Sequence, residues 1–174
     1  MVDYNKQQFV YAKSNGWLPY FIKAGRDYDW PPALLMALAS RETNMRNIVG
    51  DGGHGYGLMQ IDVRTAPDFC HSGVWRNVEL GIQKGAQILD AKRTEIEHGY
   101  GHSLHVGGYT FLGRQVDAVH LTRVSVAAYN CGLWAYYCYS KGEDPDRLST
   151  GHNYSADVLR RMVEFTELLG EGHE

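Results

Sequence analysis

The sequence predicts an α+β fold, mainly α, folded as one domain spanning residues 1–174. Three observations predict it. Apolar residues recur at helical spacing through most of the chain. One glycine-dense stretch, Asn47 to Asp62, is too rich in glycine for a helix and leaves room for a small β element. The composition, 44% hydrophobic and 21% charged, is that of an ordinary globular protein long enough to bury a core without metal or disulfide support.

The elements follow in order. Residues 5 to 13 form a short amphipathic helix, interrupted at Ser14-Asn15-Gly16. Trp17, Tyr20, Phe21 and Ala24 then recur at helical spacing in a helix from Trp17 to Asp27. Asp29-Trp30-Pro31-Pro32 suits a helix start, because proline is tolerated in the first turn, and the helix it opens runs to about Glu42. Within the glycine-rich stretch, Tyr56-Gly-Leu-Met-Gln-Ile-Asp62 is expected to hold a short strand.

Val74 to about His98 is the longest helical pattern, with Leu80, Ala86, Ile88, Leu89 and Ile96 as core candidates. The polar segment from Glu97 to Gly108 reads as a surface loop. Val116 to about Tyr129 reads as a buried helix, broken by Asn130-Cys-Gly, and Leu133 to Ser140 as a short aromatic one. Gly142-Glu-Asp-Pro-Asp146 is a turn. Asn153 or Ser155 is expected to cap the last helix, whose apolar positions are Val158, Leu159, Met162, Val163 and Phe165. The core should gather Leu35, Leu38, Ala86, Leu89, Val124, Ala127, Val158 and Met162.

The formal net charge of -3 argues against a nucleic-acid binder and against electrostatic capture by an anionic surface. Cys70, Cys131 and Cys138 are an odd set without a C-x-x-C pair, so no disulfide framework is expected. The longest apolar run, Ala33 to Ala39, is far short of a membrane span, so no membrane insertion is expected. The N-terminus lacks the charged and apolar regions of a signal peptide, leaving either a mature form with an added Met or another export route.

Glu42 carries the chemical signal. It lies four residues after Leu38 and seven after Leu35, which places a carboxylate on an apolar helix face. Desolvation there disfavours the charged form and favours a protonated acid. Eight residues later Gly50-Asp-Gly-Gly-His-Gly-Tyr-Gly-Leu-Met-Gln-Ile-Asp62 holds two further carboxylates, Asp51 and Asp62, in a polar glycine-rich loop. A protonated acid beside ionised carboxylates is the equipment of a glycosidase. The bland reading is a solvated helix-end Glu and two aspartates building turns beside glycine, which is most serious for Asp51.

Other motifs carry less. Gly53-His-Gly-Tyr-Gly lacks the Gly-Lys-Ser/Thr of a P-loop and the second half of a dinucleotide fingerprint. Glu97, His98, His102 and His105 have the composition of a metal site, but the intervening glycines argue for a solvated loop, and no metal or other cofactor is expected. The sequon Asn153-Tyr-Ser is equally explained by a helix start.

Four fragments, Ser40-Arg-Glu-Thr, Gly55-Tyr-Gly-Leu-Met-Gln-Ile-Asp62, Ala127-Ala-Tyr-Asn-Cys-Gly132 and Asn153-Tyr-Ser-Ala-Asp-Val-Leu159, in this order, resemble goose-type lysozymes and the related soluble lytic transglycosylases. The resemblance spans roughly Trp17 to Phe165. It implies a lysozyme-like fold with a small β element beside the active-site cleft, and cleavage of the β-1,4 bond between N-acetylmuramic acid and N-acetylglucosamine in peptidoglycan. Glu42 matches the family's general acid. Asp51 and Asp62 resemble the two aspartates with which goose-type enzymes position or activate water, whereas the transglycosylase pattern usually lacks them and has proline near Asp62. Tyr129 and Asn130 match the cleft-lining Ala-Ala-Tyr-Asn motif, Tyr154 resembles the tyrosine that approaches the acid from the last helix, and Tyr56, Met59 and Gln60 fall in the substrate-binding segment. Cys131 departs from the usual alanine, and the segment between Glu42 and Gly57 resembles the transglycosylase length.

The resemblance implies a peptidoglycan hydrolase acting by inversion, with Asp62 and Asp51 handling the water. A lytic transglycosylase giving 1,6-anhydromuramic acid ends is the first alternative, and a non-catalytic glycan-binding module the second. The expected partners are peptidoglycan glycan strands and chitin-like oligosaccharides, met by a monomer that is secreted or delivered to the bacterial cell wall.

Overall fold

The structure, a computed structural model, describes residues 4–171. They gather into two compact units: the chain up to Gln87 with the stretch from Arg160 onward, and Ile88–Leu159. The fold class is as the sequence predicts, mostly helix with small antiparallel sheets.

The first unit opens with α1 (Tyr4–Ser14) and α2 (Leu18–Tyr28), then α3 (Pro32–Thr43). Gly25 near the end of α2 is obligatory, since a Cβ there would sit 2.5 Å from the Trp30 carbonyl oxygen and 3.2 Å from Pro32. Pro31 and Pro32 start α3 where a missing N–H is harmless. Every residue from Ala33 to Ser40 is buried, so α3 is a core helix without a polar face. The single apolar face inferred from Leu35 and Leu38 understates this. Each of the wholly buried Leu34, Leu35 and Leu38 contributes about 1.5–3 kcal/mol by leaving water.

Ser40 is the polar exception in α3 and is satisfied. It donates to Asn5 Oδ1 at 3.3 Å and accepts from the Arg161 guanidinium at 2.7 Å. Asn5 in turn donates to Glu164, so α1, α3 and α8 (Tyr154–Glu171) are joined by one polar chain.

After α3 comes a three-stranded antiparallel sheet, β1 (Val49–Gly50), β2 (Gly55–Tyr56) and β3 (Ile61–Asp62), in that order. The stretch Tyr56–Asp62, expected to hold a short strand, holds the end of β2, a turn and β3. Gly57 (φ 80°) and Gln60 (φ 48°) are left-handed, and Gln60 N–H closes the turn on the Gly57 carbonyl at 3.2 Å. The short α4 (Pro67–His71) and a 3₁₀ turn lead into α5 (Val78–Gly99). The buried stripe of α5 is Ile82, Ala86, Leu89 and Ile96; Leu80 lies off it and is 45% exposed.

In the second unit the expected loop after α5 is a β-hairpin, β4 (Ser103–Val106) paired with β5 (Tyr109–Leu112). Gly107 and Gly108, both at positive φ, form its two-residue turn. Leu104 pairs with Phe111 on the covered face. Phe111 packs with Ile96, Val124, Ala127, Ala135 and Tyr136 into this unit's core.

The helix α6 (Ala118–Cys131) starts at Asp117, whose carboxylate accepts His120 N–H at 2.9 Å. It is buried only from Val124 to Ala128, while Val119 is 84% exposed. Its end is Gly132, with Asn130 and Cys131 still helical. The aromatic α7 (Trp134–Ser140) follows. The three cysteines are free thiols.

Of the eight residues expected to gather in the core, all are buried except Met162, which is half-buried; of the further core candidates on α5, Ile88 is half-buried and Leu80 exposed. No helix among the described residues is long and apolar enough to cross a membrane.

Candidate active site

Glu42 occupies the penultimate position of α3, half-buried, between the buried Ser40 and Thr43. Its setting is fixed by its neighbour. The Thr43 hydroxyl lies 3.1 Å from the Ala39 carbonyl and 3.0 Å from the Leu58 carbonyl, and it accepts Arg46 N–H at 3.1 Å. Thr43 thus ties the acid's helix end to the loop between β2 and β3. The chain then turns sharply through two consecutive left-handed residues, Asn44 (φ 51°) and the fully buried Met45 (φ 60°). Backbone in that region costs about 1–3 kcal/mol per non-glycine residue and persists only where packing enforces it.

Asp62 ends β3, and its position in the register decides what it neighbours. Gly50, Gly55 and Asp62 lie level across the sheet. Asp51, the residue after Gly50, therefore sits at the same sheet end as Asp62, with one strand between them. Two strand spacings separate the backbones of Gly50 and Asp62 by about 9–10 Å. Asp51 is exposed and left-handed (φ 48°), in the 3₁₀ turn Asp51–Gly53.

Asp62 is engaged by Arg64. Its carboxylate accepts Arg64 N–H at 2.7 Å and the guanidinium at 2.5–3.1 Å. The Arg64 guanidinium holds the Asp62 carboxyl below its usual range; partial burial opposes this, while the Arg64 backbone bond and the charges of Arg64 and His54 add to it. Asp62 is thus firmly ionised and a weak proton acceptor. Behind β3, the buried Cys70 thiol lies 3.5 Å from the Ile61 carbonyl, and burial, then the Asp62 charge, push its pKa up.

The other residues of the glycine-rich segment divide by exposure. Tyr56 is half-buried with its ring edge-on to Trp75 at 5.7 Å. Gln60 donates both amide hydrogens to the sheet, at 3.2 Å to Ile48 and 2.9 Å to Gly57. Its Oε1 lies so close over Gly50 and Gly55 that neither position has room for a Cβ. Met59 is fully buried and packs where Gly85 leaves space, since a Cβ there would fall 2.8 Å from three Met59 atoms. Met59 offers no surface to a ligand, because the apolar thioether is claimed by the core; its part is to shape the loop from beneath.

Tyr129, Asn130 and Tyr154 belong to the second unit. Asn130, exposed at the end of α6, accepts Thr150 N–H at 2.8 Å. Tyr154 is 2% exposed and donates its N–H to the Ser149 hydroxyl at 3.2 Å. Tyr129 is half-buried. Of the four residues with metal-site composition, Glu97 and His98 end α5 and His105 Nδ1 bonds the Thr110 hydroxyl at 2.9 Å. Among the described residues no three His, Cys, Asp or Glu side chains are grouped to hold a metal ion.

The transglycosylase SLT domain model matches residues 19–141, well over half of the chain. The chain belongs to that family. The SLT-domain match contains Glu42, Asp51, Asp62, Tyr129 and Asn130, while Tyr154 lies beyond it. Lysozyme g of Takifugu rubripes is 28% identical over 158 residues, covering 85% of this chain and 73% of that protein. Lysozyme g of Cyprinus carpio is 29% identical over 158 residues, covering 88% and 75%. A glycine, glutamate and proline-rich protein of Lottia gigantea is 27% identical over 162 residues, covering 86% and 34%. This SLT-domain protein is an enzyme of the lysozyme and transglycosylase type.

Two residues that sequence reasoning did not single out organise these positions. Arg64 lowers the pKa of Asp62; the Asp-x-Arg spacing is the local signal by which the sequence could have shown it. Asp146 organises the second unit's candidate positions. Its buried carboxylate accepts Ser155 N–H (2.8 Å), the Ser155 hydroxyl (2.7 Å), Ala156 N–H (3.0 Å) and the Ser149 hydroxyl (3.0 Å). Burial pushes this carboxyl up, but the donors from Ser155, Ala156 and Ser149 outweigh it and hold it low. Asp146 therefore receives the leading N–H groups of α8, around Tyr154. Ser155 lies inside α8 and itself donates to Asp146, a partner nine residues away that proximity in sequence cannot reveal.

Proposed function

We propose that this protein is a muramidase that hydrolyses the β-1,4 bond between N-acetylmuramic acid and N-acetylglucosamine with inversion. Glu42 is the general acid and Asp62, assisted by Asp51, handles the water. The observation that carries this reading is the pair of aspartates at one end of the sheet, one of them held ionised by Arg64. The SLT-domain match alone favours a transglycosylase, in which the sugar's own hydroxyl attacks and no such aspartate is needed. An ionised Asp62 supports a water held on the far side of the sugar from the acid. Its depressed pKa suits it to orient that water more than to remove a proton at an early stage.

In this mechanism Glu42 protonates the glycosidic oxygen of the leaving sugar. The bond from that oxygen to the anomeric carbon of the muramic acid breaks as positive charge builds on that carbon. The water oriented by Asp62 attacks the carbon from the opposite face, releasing its proton to the aspartate carboxylate as the new bond forms. Tyr56, Tyr129 and Asn130 supply sugar contacts, Tyr154, which is buried like Met59, serves as a supporting residue, and Gln60 and Met59 set the loop on which Asp62 is carried. The 174 residues act as one catalytic domain, as a monomer, on peptidoglycan strands and chitin-like oligosaccharides at the bacterial cell wall. No metal, cofactor or nucleic acid takes part.

Mass spectrometry of products from purified peptidoglycan tests the reading. Reducing muramic acid ends are expected. Anhydromuramic ends would assign the chain to the transglycosylases, and binding without cleavage to a glycan-binding module. Asp62→Asn should slow hydrolysis more than Asp51→Asn, because Asp62 is fixed by a strand and Asp51 stands in an exposed glycine turn. Loss of both should raise the share of anhydro ends.

A further inference from the structure

His54 is the one ionisable side chain between Asn47 and Asp62 that the mechanism leaves unused. Backbone bonds place it between the two aspartates. Its N–H donates to the Asp51 carbonyl at 3.1 Å, closing the 3₁₀ turn Asp51–Gly53, and its carbonyl accepts Val63 N–H at 2.9 Å. Val63 stands between Asp62 and Arg64 in the chain. The His54 backbone is therefore one strand spacing, about 4.8 Å, from the segment that carries the clamped carboxylate. The next residue, Gly55, pairs directly with Asp62 and has no room for a Cβ beneath Gln60 Oε1, so the strand position level with Asp62 carries no side chain.

The charged groups around His54 form one cluster. Asp51 lies on its own turn, and Asp62 and Arg64 flank it from β3 and the turn that follows. The Arg64 guanidinium is pushed up first by its bond to Asp62 and last by the charge of Asp51. The Asp62 carboxyl is held low first by Arg64 and last by the charge of His54. His54 itself is exposed, and among the described residues no hydrogen bond or ion pair engages its imidazole.

This cluster separates two tasks. A base works best when its pKa lies near the working pH. Asp62, bound by the guanidinium and the N–H of Arg64, is a good anchor for a water and a poor holder of its proton. An imidazole, with an ordinary pKa of about 6.5, takes up a proton at neutral pH far more readily than a depressed carboxylate.

We propose that His54 is the final acceptor of the water's proton. As the water oxygen bonds to the anomeric carbon, its O–H bond breaks. The proton passes along the Asp62 carboxylate and, directly or through one water, reaches an imidazole nitrogen of His54. The imidazolium then releases it to solvent, and Glu42, which has given its proton to the leaving sugar, is reprotonated from solvent. Protons balance over the cycle. His54 acts through Asp62 and not on the sugar. The inference rests on the muramidase reading, since a transglycosylase uses no water at this step. Asp62 alone remains a weaker acceptor, so protonating His54 slows the reaction in part, and protonating Asp62 at lower pH slows it further.

The test is release of reducing ends from purified soluble peptidoglycan by the full wild-type chain and by His54→Gln, between about pH 4.5 and 8.5. The ratio of wild-type to variant kcat, in which the ionisation of Glu42 cancels, should rise from about one near pH 5 to about ten near pH 8, with its midpoint where imidazoles titrate. KM and the melting temperature should be kept, and His54→Asn should give the same curve. A ratio that does not change with pH overturns the proposal, because a merely structural role lowers the rate at every pH. A variant faster than wild type in acid and equal to it near pH 8 also overturns it, because only the charge of protonated His54 would then matter. The kind of end is scored separately. Anhydro ends alone from the wild type defeat the muramidase reading and this proposal with it, while reducing ends with an unchanging ratio defeat only the role of His54.

Discussion

Replacing Asp146 with alanine should destabilise the fold by about 3 kcal/mol. The carboxylate is 1% exposed and accepts four donors, from Ser149, Ser155 and Ala156. The two hydroxyls can turn to other acceptors, but the N–H groups of Ser155 and Ala156 are fixed by α8. Each buried backbone donor left unpaired costs about 1–3 kcal/mol, consistent with the loss of about 0.5–2 kcal/mol for a single helix cap. Two of them give about 2–6 kcal/mol, from which the desolvation cost of the lost carboxylate is subtracted. Arg123 is not orphaned, because Asp144 also binds it at 2.8 Å. With a urea slope of about 2 kcal/mol/M, the midpoint should fall by about 1.5 M. Asp146→Asn, which keeps one acceptor oxygen, should fall by about half as much. Because the folded carboxyl is held below its unfolded value of about 3.9, its contribution is fully present above that pH and lost as pH falls through the folded value. The wild type should therefore lose stability between about pH 4 and the folded pKa more steeply than Asp146→Asn. A midpoint shift below about 0.3 M, or parallel acid limbs, would refute the capping account.

Leu38→Ala should cost about 2–5 kcal/mol in chemical denaturation, since a wholly buried leucine leaves a cavity. Gly85→Ala should cost about 1–3 kcal/mol, measured the same way, because the methyl would press on Met59 at 2.8 Å. Arg64→Gln should let the Asp62 pKa rise, so that the acid limb of the pH–rate profile moves to higher pH; an unmoved limb would separate Asp62 from the rate.

Most of the helices were legible because apolar spacing and Pro31-Pro32, Gly16 and Gly132 punctuate them in sequence. The hairpin β4–β5 was not, although Gly107-Gly108 between Leu104 and Phe111 is a two-residue turn signal; histidines and serine on its exposed face masked the alternation. Glu42 was found by spacing from Leu35 and Leu38, yet α3 is buried on every side, so position at the helix end and the Thr43–Leu58 tie distinguish it. Asp62 was readable as a strand-end acid, but the lowering of its pKa comes from Arg64 and its level with Gly50 from a register that only pairing reveals. Asp146 read as a turn residue because its partners lie nine and ten residues onward.

The most direct test of the central claim is turnover of purified peptidoglycan by Glu42→Gln. The amide keeps the shape of the side chain and cannot donate the proton, and general acid catalysis is worth about 10²–10⁴-fold. The account predicts a folded variant that still binds glycan and turns over at no more than about a hundredth of the wild-type rate. A variant retaining more than about a tenth of that rate would mean that Glu42 is not the acid.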